Sequence, residues 1–279
     1  MNSIKNKKAK LKAKRIFLTK GSCSNTIFYI LNREFGHPKP DEERAVDPMA
    51  GGILQAGYQC GMLWGASLAI GAEAYRRNNH DIDKAIAVTI RATQHIMESF
   101  RKQTNCIDCE DFTKTDFKNK WSFAKYMLSG KFYSCLKLAE NWAPEAIQAA
   151  HEGLSLSDYE ISEPTISCAS ETLRKMGASD EEMVMVAGLA GGMGLSGDAC
   201  GALAAAIWKT ILELVKKGEW KSTLQDPDSN KVLNRFFEAS DYKMECNEIC
   251  GMHFNSMQEH TEFIKNGSCQ KLIEVLAQT

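Results

Sequence analysis

The strongest constraint on how this chain can fold is that it carries one segment twice. Ala50-Gly51-Gly52-Ile53-Leu54-Gln55-Ala56-Gly57-Tyr58-Gln59-Cys60-Gly61 returns as Ala190-Gly191-Gly192-Met193-Gly194-Leu195-Ser196-Gly197-Asp198-Ala199-Cys200-Gly201, identical at six of twelve positions without a gap. The ten cysteines then divide into two sets of five in the same order. The first set is Cys23, Cys60, the pair Cys106/Cys109 and Cys135; the second is Cys168, Cys200, the pair Cys246/Cys250 and Cys269. Cys60 to Cys106 is a step of 46 residues, and so is Cys200 to Cys246. The stretches opening at Cys135 and Cys269 match at five of nine positions. Independent scatter does not produce such order, so the chain is read as an internal duplication.

The periodicity is helical almost throughout. Asp83–Lys102 sets Ile86, Ile90, Thr93, Met97 and Phe100 along one face, and Ala206–Lys217 ends at Gly218, a helix stop. Ser179 with Glu182 forms a capping-box pattern, and Pro144 suits the first turn of a helix over Ala146–Ala150. No Asn-Gly or Asp-Gly turn separates alternating strands. The expected fold is all-α: a basic disordered tail over 1–20, a first cysteine-rich module over 21–154, a linker over 155–164 and a second module over 165–279.

Net charge is −1, but residues 1–20 hold eight Lys/Arg and no acid, which leaves −9 for the rest. A solvated tail explains this run, and an anionic surface is its sharper alternative; the bulk charge does not point to nucleic acid. No apolar core follows these lysines as an export signal requires, and Met183–Trp208 is interrupted by Ser196-Gly197-Asp198, so no membrane span is expected. The expected compartment is the cytoplasm, where ten cysteines serve metal or redox chemistry rather than a disulfide framework.

Cys60 and Cys200 each open a helical pattern after a glycine-rich run. A sulfur there faces unpaired N–H groups and the positive end of the helix dipole, so both are expected to be thiolates at neutral pH. Cys106/Cys109 are three apart and Cys246/Cys250 four apart, spacings that place both sulfurs on one helix face. Four thiolates suit tetrahedral zinc or a cubane iron–sulfur cluster. The two ligand sets are Cys23, Cys60, Cys106 and Cys135, then Cys168, Cys200, Cys246 and Cys269, with Cys109 and Cys250 as additional thiols.

Sharper motifs fail. Cys106-Ile107-Asp108-Cys109 precedes Glu110, not the His of a haem-attachment site, and it lacks a thioredoxin-like strand context. Cys246, Cys250 and His253 lack the second ligand pair of a zinc finger. The ferredoxin run of close cysteines is absent, and the glycine runs match no nucleotide-binding pattern. The histidines are read as surface or core residues.

The order of a cysteine, then Cys-Gly-Ala-x-x-Gly, then two more cysteines resembles the redox-active family known by its C_GCAxxG_C_C pattern. The resemblance covers about residues 21–279 as a tandem pair of modules. It implies a redox role for Cys23, Cys60, Cys106 and Cys135 and for Cys168, Cys200, Cys246 and Cys269, without naming a substrate. Met62 stands where the pattern has Ala, and Ala205 where it has its final Gly.

The expected function is electron transfer through iron–sulfur clusters, one per module, to a redox partner protein that the sequence does not identify. The alternatives are a metal-free thiol–disulfide protein and a structural zinc-binding interaction module. A homo-oligomer is compatible with either half. No Ser-His-Asp set or carboxylate dyad suggests an enzyme class.

Overall fold

The computed structural model describes residues 13–78, 81–155, 164–223 and 226–278, so the linker read at 155–164 lies almost wholly outside the described residues. Among these residues the fold is all-α, and the only β features are two isolated antiparallel bridges, Gln59 with Asp108 and Ala199 with Glu245. The first half contains α1 (13–20), α2 (Cys23–Phe35), α3 (Pro40–Ala45), α4 (Gly61–Arg77), α5 (Ile82–Thr104), α6 (Cys109–Thr113), α7 (Lys120–Leu128) and α8 (Lys131–Ser155). The second repeats the set from α2 onward: α9 (Cys168–Lys175), α10 (Asp180–Met185), α11 (Gly201–Lys216), α12 (Pro227–Ala239), α13 (Cys246–Cys250), α14 (Met257–Lys265) and α15 (Gln270–Leu276).

Local chemistry accounts for the boundaries. Ser22 and Ser167 cap α2 and α9 with their hydroxyls, Asp81 caps α5, and Ser179 with Glu182 closes the capping box on α10. Glycine in the left-handed region at Gly36 ends α2. Every residue of the apolar face expected on α5, from Ile86 to Phe100, is buried. Two expectations are corrected. Residues 13–20, read as part of a disordered tail, form a helix because Ala13 and Phe17 bury against the first module and Phe17 packs edge-on to Phe132. Pro144 does not start a helix; it lies inside the 25-residue α8. That helix forgoes one backbone hydrogen bond there, and the buried Trp142, Ala143 and Ala146 around the proline keep it docked.

The halves pack reciprocally. α4 of the first lies against α10 of the second, and α11 of the second against α3 of the first. Such exchange of equivalent surfaces is what an approximate two-fold axis produces. Buried hydrophobic residues of both halves form one continuous core. Polar bonds cross the boundary as well: Gln59 Nε2 donates to Gly192 O at 2.9 Å and Trp208 Nε1 to Glu42 O at 3.2 Å.

The capping residue Glu182 has a second task that its sequence position does not reveal. Lys209 Nζ and Lys216 Nζ lie 2.9 and 2.8 Å from its two oxygens. Burial pushes this carboxyl up, but the bonds from both lysines and the Ser179 N–H outweigh it and hold it at about 2. Because that lies below the ordinary carboxylate value of about 4.3, the stabilisation is complete above that pH and is lost as pH falls toward 2. Lys209→Met should cost about 2–3 kcal/mol, less than a fully orphaned buried ion because Lys216 stays. Urea unfolding at pH 7 against pH 3 measures both statements; a cost unchanged at pH 3 would refute them.

Candidate functional site

In each half the glycine-rich segment makes an unusual turn. Gly51, Gly52, Ile53, Leu54 and Gln55 all have positive φ, and so do Gly191, Gly192, Met193, Gly194 and Leu195. Five successive left-handed residues amount to a single left-handed helical turn, which L-residues resist by about 1–2 kcal/mol each. The turn is closed the same way twice: Leu54 N–H donates to Pro48 O and Gly57 N–H to Gly51 O, as Gly194 N–H does to Gly188 O and Gly197 N–H to Gly191 O. Ile53 and Met193, both fully buried, anchor it in the core. Strain held at one place in both copies marks a structure kept for its geometry.

That geometry delivers the second cysteine of each set. Cys60 and Cys200 are the N-cap residues of α4 and α11. Cys23 and Cys168 are the first residues of α2 and α9. The residue after Cys60 must be small, since a Cβ on Gly61 would stand 2.5 Å from Cys23 Sγ. The Cys-Gly dipeptide therefore lets the sulfur of one helix start rest against the start of another. Ala205, one of the two departures from the family pattern, is fully buried, so α11 has room for a methyl group where α4 has Gly65.

The third cysteine is set by the β-bridges, and here the sequence register is corrected. Cys60 N–H donates to Ile107 O and Cys109 N–H to Tyr58 O; Cys200 N–H donates to Met244 O and Cys246 N–H to Asp198 O. The counterpart of Cys246 is therefore Cys109, which opens α6 as Cys246 opens α13. Cys250 corresponds to Thr113, and Cys106 to Lys243. Cys106 stands apart, half-buried, with its thiol directed at Thr104 O. Cys109, read from the sequence as an additional thiol, is buried with Cys60 in the first cluster.

The fourth cysteine lies one turn into α8 as Cys135 and caps α15 as Cys269. The first centre thus gathers Cys23, Cys60, Cys109 and Cys135. Tyr126 joins it, donating its hydroxyl to Cys135 Sγ at 3.2 Å. The second gathers Cys168, Cys200, Cys246, Cys250 and Cys269, all five lining one small cavity. Cys246 Sγ is 3.7 Å from Cys250 Sγ, which is 3.9 Å from Cys269 Sγ. Phe254, Phe263 and the buried His260 complete the wall. Burial pushes the His260 imidazole down to about 4, and its Nδ1 lies 3.1 Å from Ile166 O. Tyr126 and His260 gave no signal in the sequence, because neither stands near a cysteine motif.

All ten cysteines are free, and among the described residues no three His, Cys, Asp or Glu side chains stand in position to hold a metal ion. The charge state of the sulfurs also differs from expectation. Cys60 is raised well above the ordinary thiol value because its proton is held in a hydrogen bond to Cys23 and because it is buried. Burial pushes Cys200 up to about 12 against the help of the Leu203 and Ala202 N–H groups. Desolvation thus overrides the helix N-terminus at both positions. The lowered thiol is Cys23, which accepts the Cys60 hydrogen bond and the N–H groups of Gly51, Ser24 and Cys23 itself, enough to outweigh burial. Beside the first bridge, burial and the carboxylates of Asp198, Asp111 and Glu245 lift Asp108 to about 6, so the seam between the halves is acidic.

Fold and site together define a duplicated, all-helical protein with one cluster of free cysteines in each half. A family model described as "Putative redox-active protein (C_GCAxxG_C_C)" matches residues 22–147 and again residues 162–279. The chain belongs to this redox-active family and carries two of its modules in tandem. No curated protein and no solved structure matches it. Among the described residues no helix is long and apolar enough to cross a membrane.

Proposed function

We propose that the chain is a thiol–disulfide redox protein that takes up and releases electrons in pairs through its clustered cysteines. The observation that carries this reading is sulfur-to-sulfur contact: the hydrogen bond from Cys60 to Cys23 in one module and the 3.7 and 3.9 Å contacts of Cys250 in the other. In the first module Cys23 Sγ, as thiolate, attacks one sulfur of a substrate disulfide and expels the other as a thiolate. Cys60 then loses its proton and attacks Cys23 Sγ, forming the Cys23–Cys60 disulfide and releasing the second substrate thiol. The substrate gains two electrons from the cysteine pair and the one proton that Cys60 gives up, and the thiolate expelled first takes its proton from water. A reducing compartment such as the cytoplasm suits ten free thiols.

A second reading is the iron–sulfur cluster expected from the sequence, and a specific observation favours it. Each module supplies four cysteines at or near helix starts, more than a dithiol needs, and helix N-termini stabilise an anionic centre. Contacts of 3.7 and 3.9 Å match two thiolates on one tetrahedral ion with metal–sulfur bonds of about 2.3 Å, whereas a cubane cluster, which binds each thiolate to a different iron, would need these sulfurs to move apart. Such a cluster would supply one-electron transfer, whereas zinc on the same ligands would be structural. Cys23, Cys60, Cys109 and Cys135 would hold it in the first module, with Tyr126 donating to Cys135.

Iron, zinc and sulfide content of protein purified without oxygen decides between the two. The thiol–disulfide reading expects metal-free protein whose thiols disappear in pairs when a small disulfide is added, with Cys23 linked to Cys60 on peptide mapping. Stoichiometric iron and sulfide would replace it with the cluster reading.

A further inference from the structure

α7 is amphipathic in an inverted sense. Its inward residue Tyr126 is buried against Phe117 and Phe132 beside the first cysteine cluster. Its outward stripe at helical spacing is Trp121, Lys125 and Leu128, with Trp121 86% and Leu128 89% exposed. The neighbouring Leu18, Met127 and Tyr133 are exposed too, so five of the seven exposed large hydrophobic residues among the described ones fall here. The elements that carry them adjoin: Phe17, next to Leu18, packs on Phe132, next to Tyr133, and Lys14 Nζ stands 4.3 Å from the Tyr133 ring. α14, the counterpart in the second half, shows no such stripe.

The rim of this patch is cationic. Lys114, Lys118, Lys120 and Lys125 are exposed around it, and Lys131 Nζ donates to Lys114 O at 2.7 Å, drawing the loops together. The acids nearby are Asp111, which pairs with Lys114, and Asp116, which accepts the N–H groups of Lys118 and Asn119. α1 brings Lys14 and Arg15 to the same side, directly after the lysine-rich sequence Lys5 to Lys12. An exposed Trp and Leu between lysines is the composition that lies in the headgroup layer of an anionic bilayer, where the ring and chain enter the acyl boundary and the ammonium groups meet phosphates. An acidic protein would complement the lysines but gives no reason for a fully exposed Trp–Leu stripe. We propose that this face of the first module, formed by α1, α7 and the start of α8, docks the protein reversibly on anionic lipid surfaces.

The test is built in, because Trp64, Trp142, Trp208 and Trp220 are buried and Trp121 alone reports on solvent. Full-length protein is mixed with vesicles of phosphatidylcholine alone or of equimolar phosphatidylcholine and phosphatidylglycerol, and both emission and co-sedimentation are followed. Blue-shifted emission and sedimentation with the anionic vesicles only, reversed by high salt, are expected. The double variant Trp121→Ser/Leu128→Ser should bind those vesicles at least about 10-fold more weakly, with unchanged circular dichroism. No binding to anionic vesicles, equal binding to neutral ones, or undiminished binding by the variant overturns the proposal. Lipid-free protein that sediments as a dimer with Trp121 already shielded overturns it in favour of self-association.

Discussion

Replacing Cys23 by serine is expected to abolish the fast-reacting thiol of this protein. Cys23 is the one cysteine held below the ordinary thiol value, by the Cys60 hydrogen bond together with the N–H groups of Gly51, Ser24 and Cys23. The other nine are all raised. Alkylation follows the thiolate fraction, so at pH 7 the fastest-labelled site should be Cys23, and its loss should slow first-site labelling by about 100-fold. Cys60→Ser tests the cause. A serine hydroxyl still donates to Cys23 but cannot resolve a mixed disulfide, so labelling of Cys23 should stay within about 10-fold while the intramolecular disulfide is lost. Peptide-mapped labelling across pH checks both variants. A fast phase that survives in Cys23→Ser would remove this thiol from the chemistry.

Gly52→Ala is expected to be among the most damaging small substitutions in the first module. Its φ is 78°, and a Cβ there would lie 2.3 Å from Tyr58 O and 2.4 Å from Tyr58 N. Those atoms cannot withdraw, because Tyr58 O accepts the Cys109 N–H that places the third cysteine. Overpacking of about 1–3 kcal/mol adds to a left-handed cost of about 1–2 kcal/mol, so the loss should be roughly 2–5 kcal/mol. The damage should also reach Cys109, which the cluster holds buried. Thermal unfolding together with the accessibility of Cys109 to alkylation measures it. A variant as stable as the parent with Cys109 still protected would show that the turn is not what holds the cluster.

Much of the site was legible as pattern. The duplication, the order of cysteines and the helical periodicity all survive in the structure, because repetition and 3.6-residue spacing are properties of the chain itself. The register of the third cysteine was not. The equal 46-residue steps arise from unequal parts: the first half spends its residues on the 23-residue α5, the second on the longer connection between α11 and the 13-residue α12. Counting residues cannot show how they divide between helix and loop. The backbone hydrogen bonds from Cys60 to Ile107 and from Cys200 to Met244, beside the two bridges, decide it instead.

The charge of the sulfurs was likewise outside the reach of sequence. A cysteine at a helix start announces N–H groups nearby, and that was read correctly for Cys60 and Cys200. Whether those groups win depends on how completely water is removed and on which neighbour shares the proton, and both are tertiary facts. Glu182 shows the same division: its capping box with Ser179 could be read four residues at a time, while the buried Lys209 and the exposed Lys216 that hold its carboxyl came from 27 and 34 residues away. By itself the amino-acid order determined two helical modules and the positions along the chain where chemistry could occur. Packing decided which sulfurs meet and which one gives up its proton most readily, because contact and desolvation exist only once distant segments close on each other.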